Sequence, residues 1–266
     1  MNILVCVKQV PDTTVIKIDP VKHTLIRAGV PSILNTFDTY ALETALRIRE
    51  KEGGRVTVIS MGPEQAKAIL RQSLSVGADE VYLISDRAFG GSDTLATSLI
   101  LSTAIEMLEK KNGAKFDLVF CGKQAIDGDT GQVGPEIAQH LDRSVVTYAV
   151  DAAIEGDVVK VKRESDEGYD WFTAQLPAVI TMNKTAYDMR WPSIKGRKMS
   201  RTADVPVLTA EDVVVDEDRR GLKGSPTKVK STYTPVHEKN GMKIEGLAAK
   251  DAAAKLVELM DAAKLI

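Results

Sequence analysis

Short apolar runs alternate with amphipathic stretches through the first half of this 266-residue chain. Four runs rich in Val, Ile and Leu predict strands that are buried on both faces, at residues 3–10, 56–60, 80–85 and 117–121. The spacing of apolar side chains between these runs predicts three helices, over residues 37–51, 64–76 and 93–111. Such an alternation builds a parallel sheet with right-handed crossovers. The predicted fold is therefore α/β, with a doubly wound, mostly parallel, Rossmann-like sheet.

The second half of the chain has a different pattern. Polar and apolar residues alternate over 157–163 and 169–176, on either side of Asp166-Glu167-Gly168, and this predicts an antiparallel hairpin. Other short elements are predicted around it: a helix over 135–141 and strands over 145–148 and 178–182. A small surface hairpin is also expected around Asp19-Pro20.

The density of apolar residues falls beyond Asn183. Residues 221–240 are rich in Gly, Pro, Ser and Thr and predict an extended arm, and residues 247–265 predict a final amphipathic helix. An arm and one helix do not form a core of their own, so they must pack on this domain or on another chain. We therefore divide the chain into an α/β domain over 1–185 and a C-terminal part over 186–266.

Composition excludes several classes of protein. Two cysteines are too few for a disulfide scaffold. Thirty-five basic and 37 acidic residues give a net charge of −2, which argues against a protein that binds nucleic acid. No apolar run reaches the length that a membrane helix needs, and the N-terminus lacks a signal-peptide pattern. We expect a cytoplasmic protein without membrane insertion.

A glycine-rich loop follows the fourth predicted strand, at the sheet edge where ligands bind in such folds. Glycines at 128, 131 and 134 allow backbone N–H groups to approach a phosphate, and Lys123 adds a positive charge. The pattern matches neither the dinucleotide fingerprint nor the P-loop, so a plain surface loop remains an alternative. The candidate residues are Gly122, Lys123, Gln124, Ala125, Ile126, Asp127, Gly128, Asp129, Thr130, Gly131, Gln132 and Val133.

Further candidates lie at the same edge of the sheet. Lys8 follows the first strand, the run 35–38 precedes the first long helix, and the run 90–94 opens the helix over 93–111. For Asn35 or Thr36, capping of the helix that follows is the favoured role. The run 90–94 equally fits a cap and turn, with Ser92 or Asp93 as the capping residue.

Groups that perform acid–base or nucleophilic chemistry are scarce. Cys6 and Cys121 lie in apolar strands and are interpreted as core thiols. The histidines have no metal-ligand spacing, at His23, His140 and His237. No catalytic triad or carboxylate pair is evident. A protein that holds a nucleotide-like cofactor therefore fits better than an enzyme with its own acid–base groups.

Several segments resemble the small (beta) subunit of electron transfer flavoproteins. They are Val5-Cys6-Val7-Lys8, Asn35-Thr36-Phe37-Asp38, Gly122-Lys123-Gln124-Ala125-Ile126-Asp127 and the hairpin region 161–181. The resemblance covers nearly the whole chain in order. It implies a heterodimer with a larger alpha subunit that holds an FAD, and residues 186–266 are expected to contact that subunit and its partners.

Two kinds of beta subunit are known in the family. In respiratory relatives the loop holds AMP as a structural ligand. In electron-bifurcating relatives the same site holds a second FAD, which accepts a hydride from NADH. One electron then passes through the alpha-subunit FAD to an acyl-CoA dehydrogenase, and the other passes to ferredoxin or flavodoxin.

The small residues of this chain resemble the bifurcating group. Respiratory relatives carry bulkier polar residues in place of Gly128-Asp129-Thr130-Gly131, and the run Gly90-Gly91-Ser92-Asp93-Thr94 also resembles the bifurcating relatives. The resemblance implies FAD as the cofactor, with AMP as the alternative. Besides the loop residues above, the implied cofactor-binding residues are Cys6, Val7, Lys8, Asn35, Thr36, Phe37, Asp38, Met61, Ser92, Asp93, Thr94 and Thr97.

A basic segment over 184–201 contains six basic residues and one acidic residue. Within it, Trp191-Pro192-Ser193-Ile194 resembles the recognition loop of the family, so Trp191, Pro192 and Ile194 are implied to dock on the dehydrogenase. Packing of Trp191 on its own domain is the alternative.

Two functions of other classes remain open. A nucleotide-hydrolysing or adenylating enzyme would need a magnesium-anchoring motif, which the sequence does not show. A small-molecule sensor would work without a large subunit.

Overall fold

The computed structural model describes residues 1–12, 31–230 and 241–266. The hairpin expected around Asp19-Pro20 lies outside these residues. The described residues up to Lys230 form one compact unit, and residues 241–266 belong to a second one. The predicted division at residue 185 concerns what the C-terminal part binds, and it stays a prediction.

Eleven strands and six α-helices form the described part of the chain. In chain order the strands are β1 (Asn2–Cys6), β2 (Gln9–Pro11), β3 (Ser32–Leu34), β4 (Arg55–Met61), β5 (Glu80–Ile84), β6 (Leu118–Gly122), β7 (Ser144–Glu155), β8 (Val158–Ser165), β9 (Gly168–Gln175), β10 (Ala178–Met182) and β11 (Val207–Leu208). The helices are α1 (Thr36–Glu52), α2 (Lys67–Val76), α3 (Thr94–Asn112), α4 (Val133–His140), α5 (Ile194–Thr202) and α6 (Ala249–Ala262).

Nine strands form the main sheet, in the order β11-β5-β4-β1-β6-β10-β7-β8-β9. Pairing is parallel from β11 to β7 and antiparallel from β7 to β9. The chain runs outward from β1 through β4 to β5, and then returns to place β6 on the other side of β1. This reversal makes a topological switch point between β1 and β6, where such sheets bind ligands. The predicted α/β class and the antiparallel hairpin are confirmed.

Helices cover both faces of the sheet, which explains why its central strands are continuously apolar. On one face, α1 and α2 bury side chains such as Leu42 and Leu70 against the sheet. On the other face, α3 and α4 bury Ile100 and Ile137. Each fully buried side chain of this size contributes about 1.5–3 kcal/mol to stability. The two cores fix the ends of the strands and hence the loops at the switch point.

The first strand is shorter than predicted, because its backbone leaves the sheet after Cys6. The Lys8 N–H donates to Asp38 Oδ2 at 2.7 Å, and the Lys8 carbonyl accepts from the Asn35 N–H at 2.9 Å. Residues beyond Lys8 then pair with β3 in a separate antiparallel ribbon. The prediction of one strand over 3–10 was therefore wrong.

Strand β7 is much longer than the predicted 145–148. Its first part pairs in parallel with β10, and its second part pairs antiparallel with β8. The two roles meet at Tyr148, which has a positive φ of 58°. Since the strand is not continuously apolar, the sequence predicts only its first few residues, which include Val145 and Val146.

Helix α5 and strand β11 were not predicted, because neither the basic segment nor the residues that follow it have a regular apolar pattern. Ser193 caps α5 by accepting a hydrogen bond from the Gly196 N–H at 2.9 Å. A side chain at position 196 would overlap the Ser75 carbonyl of α2, so this glycine allows the two helices to touch. In the second unit, the predicted final helix is confirmed as α6, and its Leu256 and Val257 are exposed.

Candidate functional site

A cavity of about 810 Å³ opens at the carboxyl ends of the central strands. The segments that follow β1, β4, β5 and β6 line it, together with the first turns of α3 and α4. It therefore lies at the switch point, where an open α/β sheet leaves a crevice between diverging loops. Its volume falls in the upper part of the range of about 300–1,000 Å³ that is usual for small-molecule sites.

Asp38, buried near the start of α1, joins three segments at the base of the cavity. Its Oδ2 accepts from the Lys8 N–H at 2.7 Å, and its Oδ1 accepts from the Gly122 N–H at 3.1 Å. The same Oδ1 accepts from Asn35 Nδ2 at 2.9 Å. A side chain on Gly122 would place its Cβ 2.2 Å from Asp38 Oδ1, so only glycine permits this approach.

Asn35 ties the glycine-rich loop to helix α1. It occupies the position before α1, but its side chain accepts no helix N–H, so the predicted side-chain cap was wrong. Instead its Nδ2 donates to the Gln124 carbonyl at 2.8 Å, and its Oδ1 accepts from the Ile126 N–H at 3.1 Å. Since a buried amide needs partners, these bonds fix the start of the loop. Thr36 is the first residue of the helix.

The titration of Asp38 gives a testable consequence of this burial. Burial raises the pKa of Asp38 to about 7, although the hydrogen bonds from Asn35, Lys8 and Gly122 favour the ionised form. Because the folded pKa exceeds the unfolded one, the stability gained from the protonated group is present below about pH 4 and is lost as the pH rises through 7.

We expect the free energy of unfolding, relative to the non-titrating Asp38→Asn variant, to fall between pH 5 and 7 by about 1.4 kcal/mol per pH unit. Denaturant unfolding at several pH values measures this difference. A pH-independent difference would contradict the burial of an ionisable group here.

The glycine-rich loop presents backbone N–H groups to the cavity. Thr130, Gly131 and Gln132 line the cavity, and their N–H groups make no hydrogen bond to another described residue. Gly131 has a φ of 65°, a conformation that glycine adopts at little cost. Helix α4 begins directly afterwards, and the N–H groups of its first turn have no partner within the helix. The arrangement suits an anion such as a phosphate.

Two lysines lie at this end of the cavity. Lys8 Nζ pairs with Asp127 Oδ1 at 2.7 Å, which holds the outer part of the loop against the segment after β1. Lys123 lies over the Tyr148 ring, 4.8 Å from its centroid, and makes no ion pair with a described carboxylate. The positive charge of Lys123 is therefore available to an anionic ligand.

The opposite end of the cavity is formed by the residues after β5. Asp93 caps α3 by accepting from the Ala96 N–H at 3.1 Å, which confirms the predicted cap. Thr94 donates to Glu136 at 3.2 Å and so joins α3 to α4. Buried Phe89 and Leu101 give this end an apolar surface that suits an aromatic ring.

Most of the residues singled out from the sequence line this one cavity. Five do not: Thr36, Phe37, Ile126, Asp127 and Asp129. Asp127 instead pairs with Lys8, and Asp129 accepts from Gln124 Nε2 at 2.7 Å, so both shape the loop from outside. Gly134, one of the three loop glycines noted in the sequence, also lines the cavity. The sequence did not point to the other lining residues, which are Gly62, Pro63, Ile84, Ser85, Asp86, Arg87, Phe89 and Leu101. The rule that every strand end contributes to this edge would have found most of them.

The two cysteines lie side by side at the base of the cavity. Cys6 and Cys121 are directly paired residues of β1 and β6, and they are 8% and 5% exposed. A hydrogen bond with Cys121, together with burial, raises the pKa of Cys6. The burial of both side chains fits the interpretation as core residues.

The basic segment presents an apolar surface. Trp191 is 89% and Ile194 is 90% exposed, so the alternative that Trp191 packs on its own domain is wrong. Next to it, Arg190 Nε donates to Glu43 Oε2 at 2.9 Å, and the guanidinium also bonds Glu50. These bonds raise the pKa of Arg190 and hold the backbone before Trp191 against α1.

The described residues also bear on metal binding and on membrane insertion. Residues 1–12, 31–230 and 241–266 contain no group of three His, Cys, Asp or Glu side chains that is suited to a metal ion. In the same ranges, no helix combines the length and apolar character that crossing a bilayer requires.

The sequence is similar to known proteins over its whole length. The electron transfer flavoprotein domain matches residues 22–213 of the chain. The chain is 52% identical, over the full length of both proteins, to electron transfer flavoprotein subunit beta of Thermoanaerobacterium thermosaccharolyticum. It is 48% identical, also over both full lengths, to the protein of the same name from Megasphaera elsdenii.

A third relative has a different name. CarD, a subunit of the caffeyl-CoA reductase-Etf complex of Acetobacterium woodii, is 46% identical over 97% of each chain. The domain match and these full-length similarities agree with the α/β fold. The chain therefore belongs to the electron transfer flavoprotein family, among its beta subunits.

Proposed function

We propose that this chain binds an FAD in the 810 Å³ cavity, as the beta subunit of a heterodimeric, electron-bifurcating electron transfer flavoprotein. In this proposal NADH is the electron donor. An acyl-CoA dehydrogenase and ferredoxin or flavodoxin are the two acceptors, and the alpha subunit carries the other flavin. The observation that carries the proposal is the size of the cavity, which exceeds the needs of an adenylate.

The dimensions of the cavity favour a complete dinucleotide. FAD is more than twice the size of AMP, and a volume of 810 Å³ is far larger than AMP needs. The strand order places β5 three strands away from β6. At about 4.8 Å per strand, the two ends of the cavity are roughly 14 Å apart. An elongated ligand fits this span, whereas AMP would leave one end empty.

The two ends of the cavity differ in polarity, as do the diphosphate and the ring of an FAD molecule. The loop 122–134 supplies free N–H groups and Lys123, which fit the diphosphate and adenosine. The β5 end supplies Phe89, Leu101 and the hydroxyl of Thr97, which fit a flat ring with polar edges. AMP as a structural ligand is the alternative, and it would use only the first end.

A bound FAD supplies the ability to take two electrons from NADH and to release them singly. The chain's own residues bind and orient it. Asp38 and Asn35 fix the loop that holds the phosphates, and Phe89 and Leu101 exclude water from the ring end. Hydrogen bonds from groups such as Thr97 to the ring edge tune its potentials.

The expected partners follow from the exposed surfaces and from one relative. The name of CarD links a relative to a reductase of a CoA thioester. Exposed Trp191 and Ile194, with the neighbouring basic residues, provide an apolar anchor and a charged rim, which is how a transient docking surface is built. We assign this surface to the acyl-CoA dehydrogenase.

The ligand that co-purifies with the alpha–beta complex tests the proposal. Acid release followed by chromatography should give two FAD and no AMP per heterodimer. One FAD and one AMP in a fully active complex would refute bifurcation and leave the family assignment intact.

A variant whose side chain fills one end of the cavity distinguishes FAD binding from AMP binding. Thr97 lies one turn into α3 and lines the ring end of the cavity. We expect Thr97→Trp to lower the FAD content of the beta subunit at least tenfold, because the indole occupies the space of the flavin ring. Binding of AMP should persist. Glu106→Trp, at an exposed position of the same helix, is the control and should keep its FAD. Normal FAD content in Thr97→Trp would place the ligand elsewhere.

A further inference from the structure

A segment far along the chain packs against the loop that follows β5, behind the cavity wall. Residues 221–227, here called the strap, lie against residues 88–93. Leu222 lies so close to Gly91 that a Cβ at position 91 would meet its Cγ at 2.6 Å. Likewise, a Cβ on Gly221 would lie 2.4 Å from the Ala88 carbonyl oxygen. The strap and the cavity loop therefore pack backbone against backbone.

Hydrogen bonds join the two segments along their length. The Gly221 N–H donates to Ser92 Oγ at 3.1 Å, and the Asp93 N–H donates to Ser225 Oγ at 2.8 Å. Thr227 donates twice to Asp93 Oδ2, through its N–H at 3.0 Å and through its hydroxyl at 2.8 Å. Ser225 is 3% exposed, so its bonds are shielded from water.

These hydrogen bonds determine the role of the Asp93 carboxylate. Both of its carboxylate oxygens are engaged, Oδ1 by the α3 N-terminus and Oδ2 by Thr227. Partial burial opposes ionisation, but the bonds from Thr227 and Ala96 hold the pKa of Asp93 below its usual value. Asp93 is thus an anchor between the strap and α3, and its contribution to the cavity is the position of the residues around it.

The anchored residues are those that line the ring end. Residues 89–94 and Thr97 all lie on the cavity wall, and Asp93 stands between the loop and the helix. The opposite end depends on Asp38 and Asn35, which make no bond to the strap. Weakening the strap should therefore disturb one end of the cavity and spare the other.

We propose that Ser225 and Thr227 are positioning residues of the cofactor cavity, which hold the loop 90–93 and the start of α3 in the conformation that accepts a flavin ring. This inference rests on the proposed function, because it assigns the ring to the β5 end. The strap acts through Asp93 and does not itself line the cavity.

Ligand affinities of the alpha–beta complex test this role. After removal of the nucleotides, the affinities for FAD and for AMP are measured by titration for the unmodified complex, Ser225→Ala and Thr227→Val. We expect the affinity of the beta subunit for FAD to fall about tenfold in each variant and the affinity for AMP to change less than twofold. Thr227→Ser, which retains the hydroxyl, should restore the affinity for FAD.

Thr209 provides a matched control. Its N–H and hydroxyl both donate to Asp212 Oδ2, at 2.8 and 3.1 Å, in the same pattern as Thr227 and Asp93. Neither residue lines the cavity. Thr209→Val should leave both affinities unchanged.

The outcomes separate this inference from the function on which it rests. If the unmodified beta subunit binds AMP but not FAD, the proposed function and the inference both fail. If it binds FAD and the strap variants bind FAD equally well, only the inference fails. Equal losses for FAD and AMP, without recovery in Thr227→Ser, would show a general structural role and also overturn it.

Discussion

Replacing Gly122 by alanine should destabilise the protein by several kcal/mol and abolish nucleotide binding. The new Cβ would stand 2.2 Å from Asp38 Oδ1, 2.8 Å from Phe37 Cβ and 2.9 Å from the Asp38 backbone nitrogen. Overpacking of this kind costs about 1–3 kcal/mol. Separation of Gly122 from Asp38 adds an unpaired buried group, at about 1–3 kcal/mol. In thermal unfolding we expect the midpoint to fall by roughly 10 °C.

Gly128 offers a matched control in the same loop. A Cβ at position 128 meets no atom within 4 Å, and its φ lies outside the region that favours glycine. Gly128→Ala should therefore unfold at the same temperature as the unmodified chain. If Gly122→Ala were as stable as Gly128→Ala, the close contact with Asp38 would not be a requirement of the fold.

Replacing Trp191 by alanine should slow electron delivery to the proposed partner, an acyl-CoA dehydrogenase, by roughly thirtyfold or more, because a central apolar anchor contributes about 2 kcal/mol or more to an interface. The indole is almost fully exposed, so its removal should not affect folding. Reduction of the bound flavin by NADH, followed by its absorbance, should continue at the normal rate. Stopped-flow measurements with the dehydrogenase present and absent give both rates.

Trp171 supplies the control for this experiment. It is also exposed, at 56%, but it lies on β9 at the far edge of the sheet, where Lys160 covers its ring. Trp171→Ala should leave electron delivery unchanged. Equal effects of Trp191→Ala on both rates would show that Trp191 supports the cofactor site instead of docking.

The sequence predicts the centre of the sheet well because burial on both faces demands continuous apolar runs. Residues 178–182, for example, were assigned to the strand that the structure shows as β10. Predictions fail where tertiary contacts override the local pattern. Apolar Val10 continues the first run, yet the contact of Lys8 with Asp38 turns the backbone out of the sheet. Helix α5 depends on close approach to α2 at Gly196, which no local periodicity reveals.

In the candidate site, too, the local pattern predicts some features and tertiary contacts determine the others. Its glycine-rich loop is recognisable from spacing and from its place after a strand. The roles of Asp38 and Asn35 are not, because their partners lie 30 to 91 residues away. The strap is further still, since Thr227 and Asp93 are separated by 134 residues. Such contacts are visible only once the chain is folded.

The position of Asp38 also has a consequence for the order of folding. Its carboxylate bonds residues up to 84 positions away from it, so this end of the cavity exists only after β1, α1 and β6 have come together. Nucleotide capture must then follow assembly of the parallel sheet and is unable to nucleate it. A ligand that recognises only the finished sheet raises the stability of the native state by mass action, in proportion to the logarithm of its free concentration once that concentration exceeds the dissociation constant.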